Sequence, residues 1–162
     1  MKNLIAILTV IGLTSCGLET EKITELQMRI DSLKTELANV YKPGFGEIMS
    51  GVQIHHSKLW FAGINENWKL ADFEIHEINE LLDDIKKYQG RREESKDIDM
   101  IKPALESLSK AIKKNSVRDF KTNYENLTKV CNDCHKITKF EYNIVKVPSQ
   151  PVFDNQAFRV KK

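Results

Sequence analysis

Cysteine is scarce, with 3 in 162 residues. Two of these stand close together at Cys131 and Cys134, so no disulfide framework can staple the chain. Proline (4) and glycine (7) are too few for a collagen-like or low-complexity chain. The apolar stretch from Leu4 to Leu13 is too short to span a bilayer. Charge of one sign is also missing: 25 Lys and Arg against 23 Asp and Glu leave a net +2. No nucleic acid is expected as a partner, because the basic residues share no face and no aromatic-interleaved basic patch exists. No internal repeat, nucleophile triad, catalytic acid–base pair or phosphate-binding glycine loop is found, so no enzyme is expected. What is present is a charge-rich sequence, 30% Asp, Glu, Lys and Arg, with few helix breakers. It predicts one helical domain with appendages.

The most specific stretch is Cys131-Asn132-Asp133-Cys134-His135. Two thiols two residues apart, followed at once by an imidazole, form the attachment pattern for a c-type haem. Each thiol can form a thioether with one vinyl group, and His135 then takes the proximal axial position. One covalent haem c is the cofactor this implies. A zinc site needs further ligands at useful spacing, and no second Cys/His pair supplies them. A thioredoxin-like dithiol needs a βαβ context, which is absent.

The N-terminus agrees with this chemistry. Lys2 and the short apolar run read as a signal peptide over residues 1–15. The ending Leu13-Thr14-Ser15-Cys16-Gly17 resembles the lipobox of bacterial lipoproteins. That resemblance implies cleavage before Cys16, lipidation of Cys16 and anchoring to a membrane on the periplasmic side of the cell envelope. An ordinary secretory signal is the plainer alternative. Haem c is attached to exported apoproteins, so either reading supplies the export.

Residues 16–43 read as a lipidated N-terminus and helical stalk. Ile23, Leu26, Ile30, Leu33, Leu37 and Val40 recur at spacings of three and four, a heptad seam able to form a homo-oligomer through residues 23–40. The alternative is an amphipathic helix packed on its own domain. Tyr41-Lys42-Pro43-Gly44 ends the pattern.

Residues 44–139 carry four apolar stripes. The first helix runs from Phe45 to about Asn65, with Met49 and His56 within its stripe. The second spans Trp68 to Gln89, with Glu74, Glu77, Glu80, Asp83 and Asp84 read as a solvated face. A polar loop, Gly90 to Asp97, precedes a third helix from near Ile98 to about Lys114, with Pro103 in or near its first turn. Ser116 is read as the cap of a fourth helix. There Val117, Phe120, Tyr124, Leu127, Cys131 and Cys134 form one stripe, which turns both thiols toward the core. Residues 140–162, with Pro148 and Pro151, read as an extended tail lying over one end of the domain or across a haem edge.

The pattern predicts an all-α, antiparallel four-helix bundle with an N-terminal heptad helix and an extended C-terminal tail. In that order the first and fourth helices are adjacent. His56 and Met49 are then the two candidates for a sixth iron ligand, seven residues and about 10.5 Å apart along one helix face; for His56 the plainer alternative is a buried histidine hydrogen-bonded to a neighbouring helix or set beside a haem propionate. His55 is expected at solvent or near a haem propionate. His76 belongs to the acidic face, and Trp60, Phe61 and Trp68 to the core or the porphyrin edge.

The CNDCH motif on a fourth amphipathic helix resembles the cytochrome c-prime and cytochrome c-556 class across roughly Phe45 to Lys139. The stretch His55-His56-Ser57-Lys58-Leu59-Trp60-Phe61-Ala62-Gly63 is also similar to helix one of small exported bacterial cytochrome-like proteins. The resemblance implies a monohaem protein that passes single electrons to redox partner proteins. It also implies a second option within the class, a five-coordinate iron that binds or senses a small gas. The lipobox, the heptad stalk and the long tail depart from the class. A coiled-coil envelope interaction protein without haem is the rival from outside it.

Overall fold

A computed structural model of the chain describes the backbone of residues 2–159 and the side chains of 19–37 and 39–159. Cys16 and the signal-peptide side chains therefore lie outside the described side chains. The chain divides into two compact units, Met1–Lys42 and Pro43–Lys162. The described residues form helices and loops, with no strand.

The first unit is one helix, α1 (Lys2–Asn39). It passes through the expected cleavage point without a break, since an apolar signal segment is itself composed of helix-tolerant residues. From Ile23 to Val40 all six seam residues are exposed, from 45% at Ile30 to 66% at Ile23 and Leu37. Between them run helix-surface ion pairs, Glu25–Arg29 at 2.9 Å and Asp31–Lys34 at 3.4 Å. No helix among the described residues is long and apolar enough to cross a membrane.

The second unit holds α2 (Phe45–Ile64), α3 (Trp68–Gln89), α4 (Lys102–Lys113) and α5 (Val117–Ile137). The starts of α3 and α5 are capped by side chains. Asn67 Oδ1 accepts from Leu70 N–H, and Ser116 Oγ accepts from Asp119 N–H at 3.2 Å. Each bond satisfies one of the orphan donors of a helix N-terminus. The region expected as a single third helix begins instead as a 3-10 turn, Ile98–Ile101, before α4. Pro103 explains the difference: it has no N–H to give the preceding turn, so it fits only within the first turn of the α-helix. The loop before it also contains a short 3-10 turn, Glu93–Lys96.

Three helices end in the same way. Glu66, Asn115 and Lys139 take positive φ (59°, 53° and 65°) after α2, α4 and α5. Behind each, the next amide reaches back to the last turn: Asn67 N–H to Ala62 O, Ser116 N–H to Ala111 O, and Phe140 N–H to His135 O. This is the Schellman closure, which satisfies otherwise orphaned carbonyls and reverses the chain. At Lys139 the reversal sends the tail back along the helix that it has just left.

The four helices neighbour one another in a cycle: α2 with α3, α3 with α4, α4 with α5, and α5 with α2. Their buried stripes supply the core, including Leu59, Ile78, Leu82, Leu108, Phe120, Tyr124 and Leu127, each at most 2% exposed. Gly63 is required by close approach. A Cβ built there would lie 2.1 Å from the Phe120 ring.

Glu74 departs from the sequence expectation. It was assigned to the solvated face and is fully buried. The reason is in its spacing: three residues after Ala71 and four before Ile78, it belongs to the inward stripe despite its charge. Its Oε2 meets His55 Nδ1 at 2.6 Å. His55 is thereby a buried-side partner and not a solvent-facing group. His76 does lie on the outer face, 3.0 Å from Glu80.

Candidate functional site

The last two turns of α5 carry Cys131, Cys134 and His135. All three line one open cleft. α2 contributes Met49, Val52 and His56 to the opposite wall. Ile98 and Ile101 line it from the 3-10 turn, and Asn143 and Val145 from the tail. A second cavity of about 100 Å³ adjoins it, sharing Met49, Cys134 and His135 and reaching Phe45 and Phe140. The helical stripe thus places both thiols and the imidazole on a largely apolar surface that faces α2.

His135 has a defined tautomer. Its Nδ1 lies 2.6 Å from the carbonyl oxygen of Asn143. A carbonyl only accepts, so Nδ1 bears the proton and Nε2 keeps its lone pair. That arrangement, with one nitrogen held by a backbone carbonyl and the other available, is the usual support of a metal-binding histidine.

Both cysteines are free and partly buried. Burial, reinforced by the neighbouring Cys134, pushes the Cys131 thiol up to about 12. Burial, with a contribution from Asp97, also raises Cys134. Both are therefore protonated thiols near neutral pH.

The two candidate sixth ligands differ in what already occupies them. His56 is buried, and both of its ring nitrogens have partners. Nε2 lies 3.0 Å from Thr128 Oγ1 and Nδ1 lies 2.9 Å from the Tyr124 hydroxyl. Each hydroxyl also reaches a carbonyl, Thr128 Oγ1 that of Tyr124 at 3.0 Å and the Tyr124 hydroxyl that of His56 at 2.7 Å, so both ring nitrogens are engaged in either tautomer. Burial holds the imidazole down at about 4, and it is neutral at physiological pH. Met49 lines both cavities, and its thioether carries no proton. Trp60 and Trp68 line neither cavity. They pack in an aromatic cluster around Phe120, with Trp60 also 4.9 Å from Tyr124 between ring centroids.

Several contributors were not singled out from the sequence. Tyr124 was read only as core, and Thr128 not at all. Their i, i+4 spacing puts both hydroxyls on the helix face toward α2, a signal that spacing alone could have given. Asn132, Asn143 and Val145 join across the chain reversal at Lys139, and no local pattern announces that contact. Among the described residues, no group of three or more His, Cys, Asp or Glu side chains converges in a metal-holding arrangement. The donor set is instead one imidazole, two thiols and an apolar cleft. It suits a large apolar ring fixed by covalent bonds better than a bare ion held by side chains.

No protein-family model matches the chain, and no curated protein or solved structure matches it.

Proposed function

We propose that this chain is an exported, lipid-anchored monohaem c-type cytochrome whose work is one-electron transfer. The observation that carries the reading is the His135 imidazole. Its proton is committed to the Asn143 carbonyl, and its other nitrogen is left on a cleft shared with Cys131 and Cys134. When bound, haem c would supply a one-electron couple at its iron. Cys131 and Cys134 would hold it through thioethers, and His135 would provide the proximal ligand. The apolar residues of α2 and the 3-10 turn would limit water at the ring, which tunes potential through burial.

For the sixth position the geometry favours Met49. His56 can serve only by giving up a hydrogen bond to Thr128 or to Tyr124, and that would leave a buried hydroxyl short of a partner. Met49 displaces nothing. The finer architecture we propose is an antiparallel four-helix bundle formed by α2 to α5, as in the cytochrome c-prime and c-556 class. Its support is the cyclic neighbour order of the helices. Lipidation of Cys16 would anchor the chain to an envelope membrane on the periplasmic side. The exposed seam of α1 would then pair copies of the chain, and redox proteins would exchange electrons with the haem.

Expression with haem-attachment machinery tests the reading. The expected result is a mass increase of one haem that survives denaturation and is lost in Cys131→Ala/Cys134→Ala. Absence of covalent haem in the unmodified chain sinks the proposal and favours the non-haem interaction protein. A low-spin ferrous spectrum that becomes high-spin in Met49→Ala assigns the sixth ligand. Loss of the low-spin signal in His56→Ala alone would reassign it. A high-spin ferrous spectrum that shifts with carbon monoxide would favour gas binding.

A further inference from the structure

We propose that Asn132, inside the Cys131–His135 motif, is a positioning residue that sets His135 by clasping the tail. This inference rests on the reading of His135 as the axial ligand. Its contacts concern residues that the attachment pattern leaves unspecified.

Asn132 engages one backbone residue with both ends of its carboxamide. Oδ1 accepts from Val145 N–H at 2.8 Å, and Nδ2 donates to Val145 O at 2.8 Å. The same Nδ2 also reaches Thr128 O at 3.1 Å. The side chain therefore acts toward Val145 as a neighbouring strand would, engaging both its donor and its acceptor. Among residues of this length only Asn offers both groups. Asp lacks the donor, and Leu lacks donor and acceptor.

Two residues before Val145 stands Asn143, whose carbonyl accepts from His135 Nδ1. A two-residue span covers at most about 7 Å, so fixing Val145 restricts where the Asn143 carbonyl can lie. The other end of this turn is tied to α5 by Phe140 N–H to His135 O and is closed by Asn143 N–H to Phe140 O at 2.9 Å. The loop 140–145 is thus held on the α5 side by the helix end and on the tail side by Asn132. Without the clasp, the nearest hold on the tail side would be Val147, packed against the core four residues beyond the Asn143 carbonyl. A carbonyl at Nδ1–H raises the basicity of Nε2 and fixes the ring plane. Losing it weakens the axial donor, which disfavours the ferric state and raises the reduction potential.

The test compares the full haem-loaded chain with Asn132→Ala and with Val145→Pro. The second variant removes the backbone donor from the tail side and leaves the motif intact. Circular dichroism verifies that each variant keeps its helices. Both are expected to accelerate hydrogen exchange over 143–147, by roughly tenfold in Asn132→Ala, which loses both bonds to Val145, and by less in Val145→Pro, which loses one. Both are expected to raise the potential, and the double variant to raise it no further than either alone. Faster exchange with an unchanged potential reduces Asn132 to a structural tie and overturns the proposal. Unchanged exchange overturns it as well. The haem reading can fail separately, if the unmodified chain takes up no haem. In that case ¹⁵N NMR of His135 in the full chain decides. An Nδ1–H tautomer in the unmodified chain and Nε2–H in Asn132→Ala supports the clasp. One shared tautomer refutes it.

Discussion

At the scale of single residues, partners decide roles more than identities do. His55 and His56 are adjacent in the chain, yet one pairs with the buried carboxylate of Glu74 and the other with two hydroxyls. Burial holds His56 at about 4 in the folded chain, below its ordinary 6.5. A depressed histidine means that the unfolded chain binds the extra proton first as pH falls. The contribution of neutral His56 is complete above pH 6.5, declines between 6.5 and about 4, and is gone below that. The decline amounts to about 3 kcal/mol at most. Urea denaturation from pH 7 to 4 is expected to show it, and His56→Gln to flatten this part of the profile. An equal slope in both proteins would contradict the assignment. Gly63 makes a steric prediction. With a Cβ only 2.1 Å from the Phe120 ring, Gly63→Ala is expected to destabilise the second unit by about 1–3 kcal/mol. A melting temperature unchanged from the parent would show that the two helices do not approach so closely.

At the scale of elements, periodicity was a dependable guide wherever apolar residues recur over several turns. α2 and α3 begin where their stripes begin, and α5 begins after the Ser116 cap. The departure at Ile98–Ile101 follows from one missing N–H at Pro103, which a stripe of apolar residues cannot register. Glu74 is a related case: its place on the stripe buries it although its chemical type points to solvent. The seam of α1 is a different case. Its first two heptads have Ile23 and Ile30 at one core position and Leu26 and Leu33 at the other, the combination that favours parallel two-stranded coiled coils, and the third reverses the order with Leu37 and Val40. Its exposure in the single chain leads to the expectation of a concentration-dependent dimer. Analytical ultracentrifugation of a Cys16→Ser chain should detect it, with Leu26→Asp/Leu33→Asp returning it to monomer. A monomer at all concentrations before substitution would remove the seam from the account of partners. Three heptads are short for a coiled coil, so the dimer is expected to be weak.

At the scale of the whole second unit, the tail connects distant regions of the fold. It contacts α5 through Asn143 and Val145, and the α2–α3 connection through Phe158 and Arg159. Phe158 packs against Phe61 with 5.5 Å between ring centroids, and its carbonyl accepts from Asn67. Truncation after Lys139 is expected to cost about 2 kcal/mol, from one partly buried aromatic residue and its ring contact. It should also release His135 from its Nδ1 partner. Chemical denaturation reads the first effect and the His135 tautomer reads the second. A truncated chain with unchanged stability would mean that the tail rests on the surface without holding it.

The sequence by itself determined the all-α class, the limits of α2, α3 and α5, the Ser116 cap and the concentration of Cys131, Cys134 and His135 on one stripe. These depend on spacing along a helix, which is a local property. Only the tertiary structure decided that His56 is occupied by Thr128 and Tyr124, that Met49 lines both cavities, and that Glu74 is buried. It also decided that Asn132 meets Val145 and that Asn143 fixes the His135 proton. Those pairings are 72 residues apart for His56 and Thr128 and 13 apart for Asn132 and Val145. They arise where the chain reverses and where separate stripes close on one another, and no one-dimensional period encodes which polar groups will then meet.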